Sequence, residues 1–329
     1  MSQSTGTAPF FEVRGLSKRF PVRKGVLRRV TAEVKAVDGV DFAISSGKTL
    51  GLVGESGCGK TTTARMILHL DKPSGGRILL EGEDTVSAEG DALAAFRRKV
   101  QMIFQDPYSS LDPHKSVGQI VGEPFVVHRS CPRGERSDRI AATLALVNLP
   151  ADFMRRYPHE LSGGQRQRVG IARALALSPK LIICDEPVSA LDVSIRSQIV
   201  NLLLELQERL GLTYLFIAHD LSLVEHMSDE VAVMYLGKIV EKAPAEEFFE
   251  RPLHPYTEAL LSAVPESDPL RKRDRIILQG DLPSPINPPS GCRFRTRCPL
   301  AAALCAEQEP PLLESFPGHF TACHFRGTE

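Results

Sequence analysis

Three features of the sequence predict an α/β fold with a largely parallel sheet. First, short apolar runs each end at a chemically distinctive turn. Thr49–Val53 feeds a glycine-rich loop, 181–184 ends in two adjacent carboxylates, and 214–218 ends in His219. Runs of strand length that are apolar on both faces, separated by helix-patterned segments, belong to parallel strands covered on both sides. Second, the stretch from about 106 to 178 breaks this alternation, because 140–149 and 165–177 carry helical spacing. It reads as a helical insertion. Third, composition shifts after about residue 250: the last 79 residues hold 12 of the 24 prolines and four of the seven cysteines. Proline at that density excludes long helices.

Taken in order, residues 1–11 read as a loose tail and 13–20 as a strand. A basic stretch through Lys24, Arg28 and Arg29 reads as a solvated loop. Residues 37–44 alternate apolar and polar side chains as a half-buried strand does, and 49–53 begins the strand, loop, helix unit. The expected organisation is one domain over 12–250, with the helical subdomain at about 106–178, followed by the extension 251–329. No internal repeat is present, which excludes a fused double copy.

Charge and hydropathy narrow the classes. Lys+Arg and Asp+Glu are equal at 40 each, so no global field argues for nucleic acid or for an acidic substrate. No run of 18 apolar residues exists, so a membrane, if involved, is supplied by another chain. Met1 to Pro9 is small and polar without an apolar core, which predicts no secretory signal and a cytosolic chain. Cysteines in such a chain are expected reduced or on a metal.

Five signatures then fall in sequence. Gly54-Glu55-Ser56-Gly57-Cys58-Gly59-Lys60-Thr61 fits G-x-x-x-x-G-K-[ST], whose backbone amides wrap phosphates while the next helix presents its positive end. Lys60 adds a point charge, Thr61 offers a hydroxyl to Mg²⁺, and Thr62 lies beside it. Cys58 fills a variable slot. Gln105 precedes Asp106-Pro107, a turn-like setting. Leu161-Ser162-Gly163-Gly164-Gln165 opens a helix whose N-terminal amides can receive a second phosphate. Asp185-Glu186 ends an apolar strand, where ligands collect in open α/β sheets. His219 ends another, just before Asp220.

The ordered set, and the Ser162-Gly163-Gly164-Gln165 segment above all, resembles the ATP-binding subunits of ABC transporters from about residue 12 onward. The resemblance implies a P-loop core with an antiparallel β edge and a helical subdomain, binding ATP and Mg²⁺. It also implies residue roles: Asp185 on Mg²⁺, Glu186 as general base for the attacking water, Gln105 reaching both at the hinge to the helical insertion, and His219 on the γ-phosphate. Ser162, Gly164 and Gln165 would serve the nucleotide of a partner cassette, with Ser189-Ala190-Leu191-Asp192 coupling the two sites. Phe20 is the candidate for stacking on adenine. Non-transport ABC ATPases, which act on nucleic acid or ribosomes, are the competing class. A single cassette without a sustained heptad disfavours them, and no nucleic-acid partner is expected.

After the cassette, Leu253-His254-Pro255-Tyr256-Thr257, Leu282-Pro283-Ser284-Pro285 and Pro288-Pro289-Ser290-Gly291-Cys292-Arg293-Phe294 resemble the C-terminal extension of oligopeptide/dipeptide permease ATP-binding subunits, the F-type most closely. That resemblance implies a second ATPase subunit as heterodimer partner, two transmembrane permease subunits, a solute-binding protein, and a place at the cytoplasmic face of the membrane. The implied cargo is oligopeptides or dipeptides, with metal chelates and glutathione as alternatives handled by related systems. Cys292, Cys298, Cys305 and Cys323 are separated by 5, 6 and 17 residues, without a Cys-x-x-Cys knuckle. They could bind a [4Fe–4S] cluster or a zinc ion, or stay four separate reduced thiols. The resemblance places the cluster ahead of zinc.

Overall fold

A computed structural model describes residues 9–24, 29–264 and 275–327. In chain order the strands are β1 (Phe11–Lys24), β2 (Arg29–Ile44), β3 (Thr49–Val53), β4 (Gly75–Leu80), β5 (Glu83–Asp84), β6 (Val100–Ile103), β7 (Leu181–Asp185), β8 (Thr213–Ile217), β9 (Glu230–Tyr235), β10 (Lys238–Pro244), β11 (Leu313–Phe316) and β12 (His319–Thr321). The helices are α1 (Lys60–Ile67), α2 (Gly90–Lys99), α3 (Pro107–Ser110), α4 (Val117–Val127), α5 (Arg136–Leu146), α6 (Gly163–Leu175), α7 (Val193–Leu210), α8 (Leu221–Met227), α9 (Ala245–Glu250), α10 (Pro255–Ser262) and α11 (Ala303–Glu307). They divide into two compact units. One takes the described residues of Met1–Ala43, Thr49–Val86 and Ala218–Glu329, the other those of Ile44–Lys48 and Ser87–Ile217.

In the first unit an antiparallel sheet has the order β2-β1-β4-β5. Its register sets Phe11 opposite Leu80 and Val13 opposite Ile78, all four buried, so one face of this sheet is core. The basic stretch is shorter as a loop than its composition suggests, since β1 runs to Lys24 and β2 starts at Arg29. A neighbouring strand supplies partners for backbone amides whatever the side chains prefer. Arg28 lies outside the described residues. A second group of strands runs β11-β12-β10-β9-β3. Here β3 pairs parallel with β9, while β9, β10 and β12 pair antiparallel. The proline-rich extension is therefore stitched into the sheet through β12 and β11. Among its described residues the helices are short, with eight residues in α10 and five in α11.

The second unit holds parallel strands in the order β8-β7-β6, with β7 and β8 buried along their whole length. Helices α3 to α6 follow β6 before the chain returns to β7. The segment expected helical at 165–177 begins two residues earlier, at Gly163, because Ser162 caps it and draws both glycines into the first turn. The one expected at 140–149 spans Arg136–Leu146; beyond it Asn148 turns to φ 58°. Among the described residues no helix is long and apolar enough to cross a membrane.

Candidate functional site

The glycine loop lies between the buried strand β3 and helix α1 in the first unit. Gly54 has φ 149° and Gly59 φ 115°, where L side chains are disfavoured. Space enforces the same choice: a Cβ on Gly54 would come within 2.2 Å of the Met234 carbonyl, and one on Gly59 within 2.3 Å of the Ala36 carbonyl. Gly59 is also the N-cap of α1, and no side chain caps that helix. Its first-turn amides therefore face the loop, the arrangement that receives an anion. Lys60 is buried, and its ammonium donates to the Gly54 carbonyl at 2.6 Å and the Glu55 carbonyl at 3.1 Å. Cys58 is buried beside it; burial pushes that thiol up, against the pull of Lys60, which suits a filler rather than a nucleophile. Ser56, Gly57 and Thr61 are exposed and Thr62 is half-buried.

His219 is exposed in the link between β8 and α8, where Asp220 caps α8 by accepting from the Ser222 amide at 3.1 Å. Val53, Gly54, Glu55 and His219 line one cavity of about 310 Å³, closed by Leu221, Leu260, Ala263 and Val264. His219 and the first turn of the glycine loop thus share a cavity, and α10 of the extension supplies part of its wall.

In the second unit Gln105 and Glu186 meet directly, Gln105 Nε2 donating to Glu186 Oε2 at 2.8 Å. They follow β6 and β7, parallel neighbours whose C-terminal ends lie side by side. Asp185 is buried at the end of β7, whereas Glu186 is half-buried. Glu186 stands at φ 47°, a left-handed conformation that costs a non-glycine residue about 1–2 kcal/mol. It is fixed there by its amide, which donates to the Ile217 carbonyl, and by its carbonyl, which accepts from the Ser189 amide and hydroxyl. Asp106, beside Gln105, caps α3 through the Tyr108 amide, which holds its carboxyl below the usual range.

Ser162 and Gln165 form a reciprocal capping box, with Ser162 Oγ accepting from the Gln165 amide and Gln165 Oε1 from the Ser162 amide. As geometry the segment is a capped helix start, and Ser162 keeps a hydroxyl proton to donate elsewhere. Gly164 is required by packing, since a Cβ there would lie 2.7 Å from Ile195 Cγ2. Gly163 faces Leu191. The segment is thereby seated on Leu191 and Ile195 at the start of α7. Phe20 sits on β1, about a third exposed, with the Lys18 ammonium 4.9 Å over its ring.

Sequence reasoning missed the residues that brace the glycine loop. Arg297 forms a bidentate pair with Glu55, Nη1 to Oε2 at 2.8 Å and Nη2 to Oε1 at 3.1 Å. The Glu55 amide donates to Tyr256 Oη at 2.9 Å. Tyr256 is buried against Tyr235 and Phe294, and its helix α10 is capped by His254. The buried carboxylate of Glu241 accepts from the amides of Leu253 and His254 at 2.8 Å and from His319 Nε2 at 2.7 Å. Long separation hides these partners. The Leu253-His254-Pro255-Tyr256-Thr257 motif was the available signal, since it places a cap, an N1 proline and the tyrosine in sequence.

The four late cysteines are free thiols, Cys305 buried and the other three half-buried. Burial pushes Cys292 up to about 11, an amide of Phe294 pulls it down, and Cys305, Cys298 and Cys323 add to the rise. Burial likewise raises Cys298 and Cys323, against amide donors at Leu300 and at Phe325 and Arg326. Four thiols in one another's field, three of them receiving backbone amides, suit a thiolate-bound metal chemically. Among the described residues, however, no group of three or more His, Cys, Asp or Glu is placed to hold an ion.

A phosphate loop on a parallel strand, a carboxylate pair ending another and a capped Ser-Gly-Gly-Gln helix define a P-loop ATPase of the ABC class. Residues 37–189 match the ABC transporter family, and residues 240–305 match the oligopeptide/dipeptide transporter C-terminal region. The chain is 54% identical over 316 residues to the oligopeptide transport ATP-binding protein AppF of Bacillus subtilis, covering 95% of this chain and 96% of that one. It is 48% identical over 315 residues to the dipeptide transport ATP-binding protein DppF of Haemophilus influenzae, covering 96% of each. Among solved structures it is similar to the dimeric post-hydrolysis state of the cassette MJ0796 bound to ADP and Pi, at TM-score 0.63 and 28% identity over 71% of this chain and 98% of that one. It is similar also to cbiO1 of Clostridium perfringens, part of the transporter complex cbiONQ, at TM-score 0.63 and 29% identity over 74% of this chain and 91% of that one. The chain belongs to the ATP-binding subunits of oligopeptide/dipeptide-type ABC transporters. It is an ATPase with the ABC cassette fold.

Proposed function

We propose that this chain hydrolyses ATP to drive uptake of oligopeptides or dipeptides. It does so at the cytoplasmic face of a membrane, as one half of an ATPase heterodimer docked on two permease subunits and fed by a solute-binding protein. The observation that carries this reading is the joining, in one chain, of an ABC transporter match at 37–189 to an oligopeptide/dipeptide C-terminal match at 240–305. Residues 12–250 serve as the nucleotide-binding domain, 106–178 as the helical subdomain that meets the permease, and 251–329 as the extension.

In this reading the loop from Gly54 to Lys60 holds the β- and γ-phosphates, and Thr61, Gln105 and Asp185 hold Mg²⁺ directly or through water. Glu186 takes a proton from the attacking water while Gln105 and His219 orient it. Ser162, Gly164 and Gln165 act on the partner's nucleotide, so both sites are composites of two chains. Phe20 stacks on adenine.

We further propose that Cys292, Cys298, Cys305 and Cys323 receive a [4Fe–4S] cluster in preference to zinc, which would staple a segment poor in core of its own. Against the upward push of burial and of the neighbouring thiols, backbone amides pull Cys292, Cys298 and Cys323 toward the thiolate, which supports this. Iron and zinc assays with a visible spectrum of anaerobically purified protein test it: a brown, iron-loaded chain is expected, and a colourless one overturns it.

The transport reading is tested by reconstituting the chain with its membrane subunits and measuring ATP-driven uptake of labelled dipeptides and oligopeptides. Uptake of glutathione or a metal chelate without peptides would reassign the cargo. A chain that binds nucleic acid or ribosomes and never co-purifies with permease subunits would overturn the transporter role.

A further inference from the structure

We propose that Arg297 makes the cysteine-rich extension a working part of the nucleotide site, as a positioning residue that acts through Glu55. The inference rests on the nucleotide role of the glycine loop. Glu55 fills a slot that the G-x-x-x-x-G-K-[ST] pattern leaves open, so phosphate chemistry does not ask for it. A bare carboxylate there would repel a polyphosphate. Arg297 removes that charge with two parallel hydrogen bonds of 2.8 and 3.1 Å, and its side chain is only 10% exposed. Glu55 is also held from behind, its amide donating to the buried Tyr256 hydroxyl.

Glu55 is also one of the two residues whose carbonyls hold the Lys60 ammonium. Arg297 and Tyr256 therefore set the turn that aims Lys60. Both come from the extension, α10 and the loop before Cys298, and both lie with the glycine loop in the first unit. The extension thus has two effects on one loop residue: it fixes the backbone and cancels the charge.

The roles of charge and of mere support separate in three full-length variants, Arg297→Met, Arg297→Lys and Glu55→Gln/Arg297→Met, titrated with Mg-ATP by calorimetry and assayed for turnover. Arg297→Met leaves Glu55 uncompensated and is expected to weaken ATP binding on the order of tenfold, with KM rising more than kcat falls. Arg297→Lys keeps the charge but loses the bidentate fork, and should fall between. The double variant removes both charges and should bind more tightly than Arg297→Met. If Arg297→Met fails to fold, Arg297→Lys and the double variant are each compared with wild type, and both are expected to bind ATP more weakly because both lose the bidentate fork that sets the Glu55 turn. Wild-type affinity in Arg297→Met or in Arg297→Lys, or a double variant no tighter than Arg297→Met, overturns the proposal. Wild-type protein that binds no nucleotide overturns the nucleotide reading first and this inference with it.

Discussion

Gln105 Nε2 donates to Glu186 Oε2 at 2.8 Å, across the ends of the parallel neighbours β6 and β7. The bond orients the carboxylate that the proposed function makes the general base. The left-handed backbone of Glu186, at φ 47°, sets the direction of its side chain. Glu186→Gln keeps shape and the Gln105 contact but removes the base. Turnover should fall about 10²- to 10⁴-fold while ATP binding stays within a few-fold. Single-turnover assays beside equilibrium titration check this, and unchanged turnover removes Glu186 from the base role.

Lys60 is held by the carbonyls of Gly54 and Glu55 from inside the loop. Lys60→Ala removes the point charge meant for the phosphates and leaves those carbonyls without their ammonium donor. ATP affinity should drop by roughly tenfold or more, the scale of one lost charge-assisted contact. A variant titrating with ATP as tightly as wild type would count against the phosphate role.

Gly164 and Gly170 lie in the same helix and should respond oppositely to alanine. A Cβ at 164 meets Ile195 Cγ2 at 2.7 Å, whereas one at 170 meets nothing within 4 Å. Gly164→Ala should destabilise by about 1–3 kcal/mol, and by less in an Ile195→Ala background. Gly170→Ala should instead stabilise by about 0.4–1 kcal/mol, since a helical glycine carries excess unfolded-state entropy. Chemical denaturation of the four variants decides it; equal cost of Gly164→Ala in both backgrounds would sink the packing account.

The parts legible in the sequence are those set by local pattern. The runs that became β3, β7 and β8 are buried from end to end, and the glycines before Lys60 stand where side chains cannot go. What stayed hidden depends on partners far away in the chain. Glu241 sits among Lys238, Lys242 and apolar neighbours like any strand charge, yet it is fully buried, because its ligands come from 12 to 78 residues downstream. The Arg297 and Glu55 pair spans 242 residues. The helix starts at Gly163 rather than Gln165 for a related reason: glycine has poor helix propensity, and the cap outweighs it.

The pH response of the extension follows from His254. Burial holds this imidazole down to about 4, although Glu241 pulls the other way and is itself paired with His319. Unfolded, it returns to an ordinary value near 6.5. Between about 4 and 6.5 the unfolded chain therefore binds the extra proton, so stability rises with pH through that window. Its contribution is complete above about 6.5 and is lost as pH falls toward 4, on the order of 3 kcal/mol in all. His254→Asn keeps a side-chain acceptor for the Tyr256 amide at the α10 cap but cannot titrate. Its unfolding free energy should change less between pH 6.5 and 4 than that of wild type. Parallel curves for the two proteins would mean that His254 is not the group responsible.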